Sequence, residues 1–204
     1  MHDEGKLLCG GMVMLGIATS ALVVLPYMTV RTTPPSPGLK PYSAAELRGR
    51  QVYVSHGCVY CHSQQPRVAK FAPDLSRGWG RASVAGDYVF DAPHLLGTMR
   101  TGPDLLNIGV RQPGAQWHLG HLYQPRAYVA GSIMPAYPFM FTVKDRAEEG
   151  DVAVSLPPAY APYGKVLVAN AEARDLTAYL LSLDRSYPVA GVKPFDPGTR
   201  QDKP

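Results

Sequence analysis

The chain has 204 residues, enough for one ordinary domain with extensions, and its 20 Lys and Arg stand against 16 Asp and Glu, an excess too small and too scattered for a nucleic-acid groove. Twenty Gly and 20 Pro predict short helices separated by much loop, without the period of a collagen or a low-complexity tract. Three cysteines, Cys9, Cys58 and Cys61, cannot close a disulfide framework, so their chemistry lies elsewhere.

Residues 7–28, LLCGGMVMLGIATSALVVLPYM, carry no charged side chain. They are long enough to cross a hydrocarbon core that needs ~20 residues. The rival is a cleaved signal peptide, whose apolar region usually spans only ~7–15 residues and ends at a small-residue site. The expectation is an uncleaved N-terminal transmembrane anchor over residues 1–30, with Cys9 as an apolar filler. Lys6 and Arg31 on its two sides, with Asp3 and Glu4 nearby, leave its orientation open. Residues 31–43, with Pro34, Pro35, Pro37 and Pro41, read as a stiff extended linker. Ser43-Ala-Ala-Glu46 is a capping box, so a helix starts at Ala44 and runs to about His56, with Leu47, Val52, Tyr53 and Val54 as its apolar side.

From Pro66 to Pro113, Gly, Pro, Asp and Arg predict loops and turns. AQWHLGHLYQPR reads as a short helix closed by Pro125, and residues 142–165 as a surface insertion. Asn170 caps a last helix with Leu176, Tyr179, Leu180 and Leu183 on one face. The main domain is therefore expected over 44–184, followed by a Pro-rich tail at 185–204.

Cys58-Val59-Tyr60-Cys61-His62 has the spacing for covalent attachment of a c-type haem. Two thiols three residues apart reach the two vinyl groups of one porphyrin, and the adjacent imidazole supplies the proximal ligand. A structural zinc site is the first rival, and it wants four ligands; no second Cys-x-x-Cys or His-x-x-x-His exists here. A redox disulfide is the second. It wants its motif at a helix start, whereas this one follows the end of a capped helix.

Electron-transferring haems are usually six-coordinate. Met134, in GSIMPAYP, is the candidate distal ligand, since Pro135 stiffens the chain beside it; Met99 is the runner-up, and Met99 and Met140 otherwise read as core fillers. His118 and His121, three apart on the short helix, offer a bis-His alternative, although a satisfied histidine is the plainer reading for both, as it is for His56 and His94. The proximal ring needs an acceptor on its other nitrogen, and the carbonyl of Pro103 in RTGPDLLNIG is the candidate, against the plainer reading of an ordinary turn. Arg100, Arg111, Trp79 and Trp117 are candidate donors to the haem surroundings.

Three stretches in order, GRQVYVSHGCVYCHSQQPR, then GWGRASVAGDYVFDAPHLLGTMRTGPDLLNIGVRQPGAQWHLGHLYQPR, then GSIMPAYPFMF, resemble the membrane-anchored monohaem cytochrome c subunit, the O subunit, of cbb-type haem-copper cytochrome c oxidases. The resemblance runs from about residue 46 to 141. It implies an all-α, class I cytochrome c domain with long loops, preceded by one transmembrane helix. It also implies one covalently bound haem c on Cys58 and Cys61, with His62 and Met134 as axial ligands and Arg100 to Leu105 in the turn against the haem. The implied role is electron transfer from another cytochrome c, a subunit or a soluble donor, to the b-type haem of the catalytic subunit, with the haem domain on the periplasmic side. Familiar members read Met-Ile-Arg-Pro after His-Ser-Gln where this chain has Gln65-Pro66-Arg67. The alternatives are a subunit of a related haem-copper nitric oxide reductase and a free-standing anchored electron shuttle.

Overall fold

The computed structural model describes residues 2–195, so the end of the Pro-rich tail, from residue 196, lies outside the described residues. The described chain divides into two compact units. One joins the segment up to Ser36 with Val84–Val89; the other holds Pro37–Ser83 and the described chain from Phe90 onward.

The first unit contains helix α1 (His2–Thr19), a π-turn (Ser20–Val24) and helix α2 (Leu25–Arg31). Together Asp3–Arg31 make one helix long and apolar enough to cross a membrane, with its apolar side chains exposed. The π-turn has a local cause. Pro26 has no N–H to give, and the ladder widens just before it, with the Leu25 N–H reaching back to the Ser20 carbonyl. The linker is anchored within the same unit where the Ser36 N–H donates to the Gly86 carbonyl at 3.0 Å.

The second unit is built on two crossing helices, α3 (Ala44–Ser55) and α6 (Ala171–Ser182). Helix α3 begins at the capping box: the Ser43 N–H donates to Glu46 Oε2 at 2.6 Å, and the Glu46 N–H to Ser43 Oγ at 3.4 Å. Helix α6 begins where Asn170 Oδ1 accepts from the Ala173 N–H at 3.0 Å. Between them lie the short helices α4 (Ile108–Arg111) and α5 (Ala115–Tyr123). The core gathers Leu176 and Tyr179 of α6 and Leu183 just past its end with Tyr53 of α3, Leu119 of α5 and Met140. Tyr53 meets Tyr179 edge-on at 5.7 Å.

The structure corrects the sequence reading in three places. Helix α3 buries Gly49, Arg50 and Tyr53, whereas Leu47 and Val54 stay exposed. The buried guanidinium is satisfied by Asp91 at 3.3 Å and by the Ala92 and Pro93 carbonyls, a partnership that apolar periodicity does not register. Met99 is not a core filler: it is half exposed, whereas Met140 is fully buried.

Third, the fold is not all-α. A three-stranded antiparallel sheet joins β1 (Phe141–Lys144), β2 (Val152–Val154) and β3 (Val166–Ala169) in the order β1-β3-β2. Phe141 pairs with Ala169 and Lys144 with Val166, so the excursion returns to where it left. Leu167, Val168 and Ala169 of the central strand are buried; β-branched residues on a pleated, half-buried surface account for the pairing.

Candidate functional site

The Cys-x-x-Cys-His motif is positioned by the way α3 stops. The His56 N–H caps the helix on the Val52 carbonyl, and Gly57 then adopts a left-handed conformation, φ 70°, which a residue with a Cβ rarely takes. That reversal launches a 3₁₀ turn, Cys58–Tyr60, and the His62 N–H closes on the Cys58 carbonyl at 2.9 Å. Both thiols are free and half-buried within this one turn, and burial pushes the Cys58 thiol up to about 11.

A second loop lies against the motif. The Gly102 N–H donates to the Cys61 carbonyl at 2.9 Å and the Leu105 N–H to the Ser63 carbonyl at 3.0 Å, so the two segments run side by side. Between those ties, His62 Nδ1 lies 2.8 Å from the Pro103 carbonyl oxygen, in the geometry of a donated hydrogen bond. This fixes the ring's tilt and leaves Nε2 as the ring nitrogen that Pro103 does not engage. Gly102 is what allows the approach, since a Cβ there would overlap the His62 imidazole. Tyr53 supports the motif from behind, its O–H donating to the His62 carbonyl at 2.5 Å. Burial holds the His62 pKa below its ordinary value, opposed by the Pro103 carbonyl and reinforced by Arg111.

Arg100 faces into this loop pair. Its guanidinium donates to Asp74 Oδ2 at 2.8 Å, to the Gln65 carbonyl at 2.9 Å and to Ser63 Oγ, and it lies 3.6 Å from Asp104. Asp104 is fully buried and accepts from the Gln65 N–H at 2.6 Å and the Leu106 N–H at 3.0 Å. Burial dominates there and lifts its carboxyl to about 6. Asp74 goes the other way: burial raises it, but Arg100 and the Arg67 N–H more than offset that and hold it below the usual carboxylate range. Arg111 donates to the Asp104 carbonyl, and Trp79 is buried beneath the guanidinium of Arg77 at 5.0 Å.

The Met134 segment reaches the same region. Met134, Cys58, Val59, Leu105 and Tyr137 are half-buried and pack against one core cluster. The segment is held where the Tyr137 N–H donates to the Leu122 carbonyl of α5 at 2.9 Å. Motif and Met134 segment, His62 and Met134 being 72 positions apart by number, thus meet the same core cluster.

The remaining histidines differ from one another. His118 is buried and Nε2 lies 2.8 Å from the Gln112 carbonyl oxygen. His56 departs from the satisfied histidine expected: its buried Nε2 has no hydrogen-bond partner, Glu172 lying 3.6 Å away, and its ring is close to that of Phe139. His121 keeps a buried Nδ1 without a hydrogen-bond partner, which departs from the satisfied histidine expected. The Trp117–His121 spacing of four on α5 signals the stacking of the two rings, but not the missing partner.

The donor set fits a haem better than a closed zinc site. Among the described residues no group of three or more His, Cys, Asp or Glu is arranged to hold a metal ion. What the motif offers is two thiols, one oriented imidazole and apolar surroundings.

Residues 3–180 match the model of the family described as "Cytochrome C oxidase, mono-heme subunit/FixO". The chain belongs to this family, which is the one that the three sequence stretches resembled. Membership makes it a mono-haem subunit of a haem-copper oxidase, and the one helix among the described residues that is long and apolar enough to cross a membrane, near the N-terminus, fits a single-pass anchor.

Proposed function

We propose that the chain is an electron-transferring subunit that carries one haem c, bound through thioethers to Cys58 and Cys61, with His62 and Met134 as the axial ligands. The observation that carries this reading is the oriented His62: Nδ1 is taken by Pro103, two free thiols stand in the same motif, and Met134 packs against the core cluster that Cys58 also meets. The haem, when bound, supplies a one-electron couple. The protein's part is to hold the imidazole in one tautomer, cover the pocket with apolar side chains and keep the Met134 segment in place through Tyr137. Arg100 would then act by fixing the loop that carries Pro103 through Asp74 and Asp104.

Electrons would come from another cytochrome c, a subunit or a soluble donor, and pass to the haem b of the catalytic subunit, which reduces dioxygen with proton translocation. Covalent haem attachment takes place outside the cytoplasm, which would set the haem domain, 44–184, on the periplasmic side of its anchor, 1–30, with 31–43 as the spacer. Haem staining of a denaturing gel tests the attachment: the wild type stains and Cys58→Ala with Cys61→Ala does not. Met134→His should lower the midpoint potential and remove the near-infrared sulfur-to-iron band; an unchanged band eliminates Met134 as ligand. A mild-detergent extract should carry b-type haem and copper with the chain, whereas c-type haem alone would mark a free-standing shuttle.

A further inference from the structure

Helix α5 carries two imidazoles with opposite surroundings. His118 has the Gln112 carbonyl as a partner, while one turn later the buried Nδ1 of His121 has none. The His121 ring is nevertheless held in place. It lies flat on Trp117, 4.6 Å between centroids and 13° between planes, and Tyr128 meets it edge-on at 6.1 Å. Tyr128 is itself tied down by donating to the Ser155 carbonyl at 3.2 Å. A buried polar nitrogen without a partner is rare in native proteins, and a clamped ring cannot swing out to find water. Helix α5 also adjoins the Met134 segment: Leu119 and Leu122 belong to the core cluster against which Met134 packs, and the Leu122 carbonyl, next along the chain from His121, accepts from the Tyr137 N–H at 2.9 Å.

We propose that His121 is a haem-contacting residue whose Nδ1–H donates a hydrogen bond to the bound haem or to its axial sulfur, raising the reduction potential. This rests on the haem reading given above. The groups that a haem site presents to such a nitrogen, propionate oxygens and the Met134 thioether, accept hydrogen bonds and do not donate them, so Nδ1 must carry the proton. The positive end of that N–H dipole faces the iron's charge and favours the less charged ferrous state. The residue acts by position and takes no part in covalent chemistry.

The test is His121→Phe in the full-length, haem-loaded chain, which keeps a ring on Trp117 and removes the nitrogen. At unchanged haem content by pyridine haemochrome, the oxidised-to-reduced ratio at fixed ambient potential should rise about tenfold, the scale of one net hydrogen bond, or ~59 mV for one electron. His121→Asn, which restores an amide N–H near the place of Nδ1, should recover part of the shift. A near-infrared band displaced in His121→Phe assigns the acceptor to the Met134 sulfur, and a band left in place assigns it to a propionate. Full haem with an unshifted potential overturns the proposal. Should the Phe variant not accumulate, ¹⁵N-histidine-labelled ferrous wild type decides: a slowly exchanging His121 Nδ1 proton supports the hydrogen bond, and exchange at the free rate refutes it. Wild type without any haem would instead overturn the haem reading itself.

Discussion

Gly102→Ala places a methyl group in the space of the His62 imidazole, because a Cβ at that position overlaps the ring's Cε1, Nδ1 and Nε2. Two costs add. Overpacking a tight contact costs about 1–3 kcal/mol, and displacing the ring sacrifices its 2.8 Å contact with Pro103, worth about 0.5–1.5 kcal/mol. The sum, about 1.5–4.5 kcal/mol, corresponds to a fall in Tm of roughly 3–18 °C at ~2–4 °C per kcal/mol for a chain of this size. The loop cannot easily retreat, since the Gly102 N–H is held by the Cys61 carbonyl at 2.9 Å and the Leu105 N–H by the Ser63 carbonyl at 3.0 Å. The assay is thermal denaturation of the full chain in detergent, followed by far-UV circular dichroism. Gly114→Ala is the control, because a Cβ there meets nothing within 4 Å. A Gly102→Ala melting point within about 2 °C of that control would refute the close packing of the two segments.

Two further perturbations address the polar loop. Arg100→Gln leaves the buried carboxylates of Asp74 and Asp104 without their shared guanidinium and should cost about 3–5 kcal/mol in urea denaturation; a loss under 1 kcal/mol would show the carboxylates to be satisfied without it. Asp104 has a folded pKa near 6 against an ordinary 3.8, so the folded state holds its proton more tightly than the unfolded one. The stability from that proton is fully present below about pH 3.8 and is lost as pH rises through about 6. Asp104→Asn, neutral throughout, should therefore gain on the wild type by roughly 2.4 kcal/mol between pH 4 and pH 7, read from urea midpoints, and a pH-independent difference would contradict the lifted carboxyl.

Local rules described the helix ends well and the tertiary partnerships poorly. Ser43 with Glu46, and Asn170 with the Ala173 N–H, act within four residues, so their spacing alone announces them. Leu176, Tyr179 and Leu180 on α6, and Leu183 at its C-cap, are all buried for the same reason. The sheet escapes such reading because its strands are only three or four residues long, too short for alternation to declare itself, and Phe141 finds its partner at Ala169. Arg50 is buried by partners distant in sequence, Asp91 and two carbonyls, which apolar spacing on α3 does not announce. At the site, Cys58, Cys61 and His62 stand out by spacing, whereas the unpaired Nδ1 of His121 emerges only when its surroundings are known.

The pairing of Phe141 with Ala169 makes the chain between them a detour that begins and ends at one point. Beyond it, the Asn170 N–H donates to the Met140 carbonyl at 3.0 Å, so the start of α6 is clasped directly to the end of the Met134 segment. The detour's outer bend, Glu148–Asp151, is exposed apart from the half-buried Asp151, and it can lengthen or shorten without altering the distance from Met134 to α6. That bend is the natural socket for an affinity tag or a fluorescent domain, a handle that leaves the ligand-bearing loop in register.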